Sequence, residues 1–285
     1  MWNPNFECFM GCDAAPEDAK TVLFGAPFDC TTSFRPGTRF GSAAIRHESY
    51  GLESYSPYQD RDLTDIAVLD TGDLELPFGD TQTALAMIES QTAEILKAGK
   101  RPFLLGGEHL VTLGAFRAVA AAYPDVHIIH FDAHADLRDA YLGVQLSHAC
   151  VLRRCWELVG DGRIFQFGIR SGDRSEFIWG KSHVTTNRFG FGTLDEIVDT
   201  LQGKPVYFTL DLDVLDPSVF PGTGTPEPGG VGFDDLRRAA TSVCSRLHIV
   251  GCDVNELSPQ YDQSGGSTAV ACKIVREMLL AFPDR

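Results

Sequence analysis

The sequence lacks any long apolar run: no stretch approaches the ~20 apolar residues that a transmembrane helix needs. Its start, from Met1 to Cys8, also lacks the basic and then apolar pattern of a secretion signal. We therefore expect a cytoplasmic protein that neither crosses nor binds a membrane.

Closely paired cysteines are absent as well. The eight cysteines include no Cys-x-x-Cys pair, and the nearest neighbours along the chain are Cys8/Cys12 and Cys150/Cys155. Such scattered cysteines are typical of reduced, mostly buried thiols in a cytosolic protein. Their spacing argues against a disulfide framework and against a metal site built from thiolates.

Positive charge is scarce. The chain has 24 Lys and Arg against 39 Asp and Glu, so its formal charge is 24 − 39 = −15. Nucleic acids bind basic patches, so a nucleic-acid partner is not expected. Hydrophobic residues make up 44% of the chain and charged residues 22%, which argues against disorder. The acidic surplus would suit a cationic ligand, although solubility alone would also explain it.

What the sequence does contain is a regular alternation of short apolar runs with longer amphipathic segments. The runs predict strands at 21–27, 65–69, 101–105, 126–131, 163–168, 206–210 and 247–251. The amphipathic segments predict helices at 81–98, 110–122, 147–159, 194–201, 233–245 and 266–281. This alternation is typical of a parallel sheet with helices on both faces. No linker, composition break or repeat divides the sequence, so we expect one domain over residues 1–285.

Acidic residues and histidines follow four of the predicted strands, at the edge where ligands bind in open parallel sheets. The segments concerned are 106–109, 132–136, 211–213 and 253–256. In extended backbone Asp132, His134 and Asp136 would share one face, and so would Asp211 and Asp213. Acids and imidazoles crowded in this way repel one another or stay unpaired unless a cation binds them.

His109 completes a set of two histidines and four aspartates, enough for two metal ions that share a bridging carboxylate. Gly106 and Gly107 permit the tight turn that would aim His109 inward. Oxygen and nitrogen ligands without thiolate favour Mn²⁺, with Zn²⁺, Co²⁺ and Fe²⁺ as alternatives. A solvated loop would explain one acidic motif alone, but a second motif after a second buried strand argues against it.

These segments resemble the ureohydrolase family, which includes arginase, agmatinase and formimidoylglutamase. Gly106-Gly107-Glu108-His109 is similar to the family's Gly-Gly-Asp-His block, and residues 132–136 match its Asp-Ala-His-x-Asp block. Residues 211–230 match its longest signature, and residues 253–259 resemble its Asp-x-x-Glu-x-x-Pro block. The blocks occur in family order between Gly25 and Pro259, so the resemblance covers nearly the whole chain.

The resemblance implies a three-layer α/β/α fold with a mostly parallel central sheet, and two Mn²⁺ ions per subunit. It assigns the metal ligands to the same residues that the spacing selects: His109, Asp132, His134, Asp136, Asp211 and Asp213. It also implies a homo-oligomer, either a trimer or a hexamer.

The family's chemistry implies that the metals ionise a bridging water, and that the hydroxide attacks the guanidinium carbon of a small cationic substrate. Glu256, which matches the family's Glu, would hold the guanidinium by paired hydrogen bonds. His148 resembles the family's active-site histidine and would shuttle a proton to the leaving amine or from bulk water. The structural alternatives are that Glu256 caps a surface helix, and that Ser147 caps a helix whose first turn contains His148.

His130 stands two residues before Asp132 in a predicted strand, so both side chains would share a face. A supporting role beside the metals is one interpretation of His130, and an ordinary core histidine is the other.

Residues 136–143 and 169–172 resemble the prokaryotic agmatinase branch, which implies hydrolysis of agmatine to putrescine and urea. Thr225, with Thr223 and Gly224, would shape the guanidinium pocket. Agmatine also carries a distal ammonium, and four residues are candidates to bind this tail: Asp139, Tyr141, Asp173 and Glu176. Each of the four could instead be a solvated loop residue.

Three residues depart from the family pattern. Glu108 and Leu110 replace the usual Asp and Ser around His109, and the extra methylene of Glu108 would move a hydrogen bond behind the metals. Leu142 replaces the Glu of a Tyr-Glu-Gly run. If that Glu recognises the distal amine, the chain prefers another substrate, such as aminopropylagmatine or guanidinobutyrate. Arginine hydrolysis and a catalytically silent metal-binding paralogue are the remaining alternatives.

Overall fold

The computed structural model of the chain describes residues 7–283. Residues 1–6, which form most of the segment compared with secretion signals, lie outside the described residues, as do residues 284 and 285. The strands are Thr21–Gly25 (β1), Tyr55–Ser56 (β2), Arg61–Asp62 (β3), Val68–Asp73 (β4), Arg101–Leu105 (β5), His127–Phe131 (β6), Ile164–Ile169 (β7), Thr185–Arg188 (β8), Pro205–Asp211 (β9) and His248–Asn255 (β10). The helices are Gly41–Ser49 (α1), Thr81–Lys97 (α2), Val111–Ala122 (α3), Val151–Val159 (α4), Arg174–His183 (α5), Leu194–Leu201 (α6), Phe233–Arg246 (α7) and Gly266–Ala281 (α8).

Eight strands form one sheet in the order β4-β1-β5-β10-β9-β6-β7-β8, and every neighbouring pair is parallel. The central strands are apolar runs without alternation, because both of their faces are covered: Phe103, Leu104 and Leu105 of β5 are fully buried. In register, Cys252 of β10 lies opposite Phe103 on one side and Phe208 of β9 on the other.

Apolar side chains fill the space on both faces of the sheet. One cluster joins the sheet to helices such as α2, α3 and α4, through Ile88, Phe116 and Leu152. The other joins it to helices such as α7 and α8, through Val243 and Met278. The predicted three-layer α/β/α fold with a mostly parallel sheet is therefore confirmed.

Several elements differ from the predictions. The predicted strand at 65–69 lies three residues later, at Val68–Asp73, and α1, α5, β8 and the β2–β3 hairpin were not predicted. The helix predicted from residue 147 begins at Val151, after a short 3-10 turn at His148–Cys150. Ser147 precedes that turn, but its side chain makes no capping hydrogen bond.

None of the helices between residues 7 and 283 has the length and apolar character needed to cross a bilayer. The cysteines are free thiols. They are buried except for Cys8, which is half-buried, and Cys30, which is exposed.

Candidate metal centre and active site

The strands that precede the predicted site residues are neighbours at the middle of the sheet. They follow one another in the order β5, β10, β9 and β6, so their carboxyl ends lie side by side. A cavity of about 350 Å³ opens at this edge. Its wall includes His109, His134, Asp136, Asp211 and Glu256, which come from all four strand ends.

A first cluster of ligand atoms surrounds His109. Its Nδ1 lies 3.1 Å from Oδ2 of Asp132, 3.3 Å from Oδ2 of Asp136 and 3.3 Å from Oδ2 of Asp211. All four side chains are buried. Three carboxylate oxygens therefore converge on one imidazole nitrogen.

A second cluster lies beside the first. Nδ1 of His134 is 2.9 Å from Oδ2 of Asp213 and 3.5 Å from Oδ1 of Asp132. The ligand atoms of these three residues lie within 4.8 Å of one another, as a metal site requires. Asp132 uses one carboxylate oxygen in each cluster, which is the arrangement of a carboxylate that bridges two ions.

The loops, rather than continued strands, bring these side chains together. The expectation of extended backbone through residues 132–136 is wrong, because β6 ends at Phe131 and Asp136 has a φ of +52°. Asp213 likewise lies in a 3-10 turn, Leu212–Val214, after the end of β9. A left-handed φ is uncommon outside glycine and is often found at functional sites, where surrounding contacts hold it.

The protonation of His109 provides a test of whether a cation fits. The hydroxyl of Thr209 donates to Oδ1 of Asp253 at 2.6 Å, so its oxygen is free to accept the Nε2–H of His109 at 2.8 Å. A neutral imidazole protonated on Nε2 carries a lone pair on Nδ1. That buried nitrogen makes no hydrogen bond of normal geometry with the described residues, and the three carboxylates that it faces outweigh burial and raise the pKa of His109 well above its ordinary value, so the site attracts a positive charge. A divalent cation would satisfy the lone pair and the carboxylates together.

The carboxylates of the clusters are mutually destabilised. Burial and the neighbouring Asp132 raise the pKa of Asp136 to about 7. Burial, Asp213 and Asp132 also raise the pKa of Asp211 well above its ordinary value. Asp132 differs, because His130, His109 and His134 outweigh the effect of burial and hold its pKa well below its ordinary range. Cations would remove the repulsion, so the donor set fits two metal ions.

Two buried residues behind Asp132 fix its orientation. Nε2 of His130 is 2.8 Å from Oδ2 of Asp132, and Nδ1 of His130 accepts from the amide of Gln166 at 3.1 Å. Because Nδ1 accepts this hydrogen bond from the Gln166 side chain, the imidazole proton must lie on Nε2, which donates it to Asp132. His130 therefore contacts Asp132 as its place in the strand suggested, and the contact of Gln166 was not predicted.

Glu256 follows β10 and turns into the cavity with a φ of +68°. It is 6% exposed, which is inconsistent with a solvated cap on a surface helix. The backbone N–H of His109 donates to its Oε1 at 2.7 Å. Burial and the nearby Glu108 raise the pKa of Glu256 well above its ordinary value, so a cationic group in the cavity would favour its carboxylate form.

His148 lines the same cavity as the clusters, and its ring has a hydroxyl beside each nitrogen. Oγ of Ser33 is 3.2 Å from Nε2, and Oγ of Ser147 is 3.4 Å from Nδ1. The ring edge of Tyr141 faces it, with centroids 6.0 Å apart. Burial is the main cause that lowers the pKa of His148 to about 4, so the ring is neutral at pH 7.

The tail candidates divide into two groups. Tyr141, Asp173 and Glu176 line the cavity, and so does Thr225, the candidate for the guanidinium pocket. Asp139 is not among the cavity-lining residues, because its exposed carboxylate pairs with Arg154 at 2.9 Å. Thr225 lies 3.4 Å from Oδ2 of Asp213, close to the second cluster.

Asp173 and Glu176 also have a structural task that was not predicted. They form the capping box of α5, in which the backbone N–H of Asp173 donates to Glu176 Oε2 at 2.7 Å. Arg138, which was not predicted as a site residue, lines the cavity and forms ion pairs with both carboxylates.

Leu142 is 80% exposed at the tip of a turn, outside the set of cavity-lining residues.

The chain matches the model of the arginase family over residues 19–281. It is 47% identical to the agmatinase of Bacillus anthracis over 270 residues, which is 93% of each chain. A solved structure from Clostridium difficile has 50% sequence identity and a TM-score of 0.92, covering 94% of this chain and 98% of that one. The agmatine ureohydrolase of Thermoplasma volcanium has 35% identity and a TM-score of 0.88, covering 97% of this chain and 94% of that one. The fold, the ordered sequence blocks and these similarities agree: the chain belongs to the arginase family.

Proposed function

We propose that the protein is a manganese-dependent agmatinase, which hydrolyses agmatine to putrescine and urea. The observation that carries the proposal is the pair of ligand clusters joined by Asp132 at the cavity wall. The relatives named as agmatinases, with identity over nearly the full chain, support the choice of substrate.

The first ion would be held by His109, Asp132, Asp136 and Asp211, and the second by His134, Asp132 and Asp213. Bound there, two Mn²⁺ ions would lower the pKa of a water so that hydroxide is available at neutral pH. Oxygen and imidazole donors without thiolate suit Mn²⁺.

Glu256 would hold the guanidinium of the substrate. The bond from the N–H of His109 fixes Oε1, and no described residue donates to Oε2, which can therefore accept from the substrate. A carboxylate and a guanidinium form charge-assisted paired hydrogen bonds, which orient the planar group as well as bind it. Glu256 would thus present the guanidinium carbon to attack from the side of the ligand clusters.

His148 would move the proton that the reaction requires. Addition of water to the guanidinium carbon gives a tetrahedral adduct, and the bond from this carbon to the chain nitrogen of the substrate then breaks. That nitrogen must be protonated in order to leave as an amine. Because His148 is neutral at pH 7, it can accept a proton released by the attacking water and donate it to the leaving nitrogen.

The part of the cavity wall formed by Arg138, Asp173 and Glu176 favours a cationic tail. Arg138 contributes one positive charge there, and Asp173 and Glu176 contribute two negative charges, so the formal sum is 1 − 2 = −1. A distal ammonium is attracted to this wall, whereas the carboxylate of guanidinobutyrate is repelled. This balance supports agmatine over substrates with an anionic tail.

Urea release tests the proposal directly. The protein loaded with Mn²⁺ is assayed with agmatine, aminopropylagmatine, guanidinobutyrate and arginine, and we expect agmatine to give the highest kcat/KM. Glu256→Gln should lose most of this activity, whereas Ser245→Ala, an exposed change at the end of α7, should retain it. Urea from none of the compounds would overturn the enzyme assignment, and equal turnover of arginine would overturn the substrate.

A further inference from the structure

A loop of residues 30–36, which we call the 30–36 loop, contributes Ser33 to the lining of the cavity. Its base is closed by Asp29, whose carboxylate accepts from the N–H of Gly37 at 2.8 Å and from Nε of Arg39 at 2.6 Å. The C-terminal end of the loop is also held through the carbonyl of Pro36, which accepts from Nε2 of Gln260 at 2.6 Å and from the hydroxyl of Tyr261 at 3.1 Å. Both ends of the loop are therefore attached to the rest of the protein.

Two residues near the start of the loop, Thr31 and Thr32, are attached to Glu108. This fully buried carboxylate accepts from the N–H of Thr31 at 3.0 Å, from the Thr31 hydroxyl, and from the hydroxyl of Thr32 at 3.0 Å. A shorter aspartate would withdraw the carboxylate by about 1.5 Å, the length of one carbon–carbon bond. The glutamate therefore has the reach that these three bonds require.

The same loop contacts His148 at two points. The N–H of His148 donates to the Thr31 hydroxyl oxygen at 3.1 Å. The hydroxyl of Ser33 lies 3.2 Å from Nε2 of the His148 ring. Ser33 and His148 both line the cavity, so this contact forms where the substrate would bind.

We propose that Glu108 and Ser33 are positioning residues for His148. Glu108 holds the 30–36 loop through Thr31 and Thr32, and the loop in turn holds the ring of His148 through Ser33. The inference rests on the proposed function, because the ring position affects a rate only if His148 moves a proton during the reaction. The inference assigns to Glu108 a role in orienting His148, although Glu108 is adjacent in sequence to His109.

Steady-state kinetics of Ser33→Ala provide the first test. Ser33 is exposed, so this change is compatible with folding. Loss of one hydrogen bond to the ring should reduce kcat about 3- to 10-fold with a smaller effect on KM. Ser33→Thr, which restores a hydroxyl, should recover most of the rate, and the control Ser245→Ala should match the wild type. An unchanged kcat in Ser33→Ala would overturn the role of Ser33.

Metal content separates a positioning role from damage to the ligand clusters. Glu108→Asp keeps the charge and shortens the side chain, so it should lower kcat while the protein retains the metal content of the wild type. Imidazole should restore part of kcat in His148→Ala, where the missing ring leaves space for it, and not in Ser33→Ala or Glu108→Asp, where the His148 ring still occupies that space. A wild-type kcat in Glu108→Asp, or a loss of metal from it, would overturn the role of Glu108.

Chemical modification separates this inference from the proposed function. Diethyl pyrocarbonate reacts with neutral imidazole nitrogen, and its rate at the peptide containing His148 is measured by mass spectrometry without any substrate. We expect at least 3-fold faster modification at His148 in Ser33→Ala and Glu108→Asp, and no change in Ser245→Ala. Equal rates in all proteins would overturn the positioning role, even if urea release is normal. Faster modification would support it, even if urea is not formed.

Discussion

Replacement of Asp132 by Asn should remove both metal ions, whereas the same replacement of Asp213 should remove one. Asp132 places one carboxylate oxygen near each of His109 and His134, at 3.1 Å and 3.5 Å, while Asp213 contacts only the second cluster, at 2.9 Å from His134. The number of clusters that a residue joins thus predicts the number of ions lost. Asn preserves the side-chain volume, so the comparison isolates the carboxylate charge.

The magnitude can be expressed as thermal stabilisation. An ion at 100 times its Kd stabilises the folded state by about 2.7 kcal/mol, so two ions contribute about 5.4 kcal/mol. For a chain of this size 1 kcal/mol corresponds to roughly 2 °C in Tm. Adding Mn²⁺ to the metal-free wild type should therefore raise Tm by about 10 °C, Asp213→Asn should show about half of this rise, and Asp132→Asn almost none.

The assay combines differential scanning calorimetry with metal analysis after dialysis. We expect two ions per chain in the wild type, one in Asp213→Asn and none in Asp132→Asn. Asp216→Asn offers a matched control, because Asp216 is a nearby acid whose carboxylate accepts from Ser218 and Gly229 and does not belong to either cluster. If Asp132→Asn retained one ion as Asp213→Asn does, the bridging geometry would be refuted.

Three further predictions follow from the same geometry. Glu256→Gln should lower kcat/KM for agmatine about 10- to 100-fold, since a charge-assisted bond contributes roughly 1.5–3 kcal/mol, and an unchanged value would exclude Glu256 from substrate binding. His148→Asn should lower kcat by about 100-fold or more without loss of metal, and kinetics together with metal analysis would contradict this if the rate stayed normal. In the metal-free protein the free energy of unfolding should fall from pH 4 to pH 7. The raised pKa of Asp136, about 7, means that the folded chain keeps a proton that the unfolded chain releases near pH 4. The stability that this proton provides, about 4 kcal/mol, is lost progressively over this range; urea denaturation after chelation measures the change, and a rise in stability would contradict the sign.

The convergence of the six predicted ligand residues could be predicted from the sequence for a simple reason. Each lies at the end of a buried strand or shortly after it, and parallel strands place their carboxyl ends at one edge of the sheet. The local geometry could not be predicted by the same reasoning. Alternation along an extended chain placed Asp132, His134 and Asp136 on one face, but the strand ends at Phe131 and the loop turns through a left-handed residue.

Residues whose roles depend on tertiary contacts could not be identified from sequence patterns. Ser33 stands 115 residues before His148 in the chain, and nothing in its polar loop signals the contact. Arg138 was not among the predicted site residues, because its pairing with Asp173 and Glu176 depends on the position of α5. The capping box of α5 did have a signature, an aspartate followed three residues later by a glutamate, which was instead interpreted as a tail-binding pair.

The position of β10 has a consequence for how the chain acquires its structure. β10 is the last strand in the sequence, yet it lies between β5 and β9 at the centre of the sheet. Until residues 248–255 leave the ribosome, β4, β1 and β5 have no hydrogen-bonded contact with β9, β6, β7 and β8. The nascent chain would then expose two unpaired apolar strand edges, which are prone to aggregation.

Insertion of this single strand joins the two halves of the sheet and brings His109 to the aspartates that follow β6 and β9. The first cluster is therefore complete only when β10 has joined the two halves, whereas the residues of the second cluster all follow β6 and β9, which pair directly. A chain in which β10 failed to insert would lose the site of the first ion and keep that of the second.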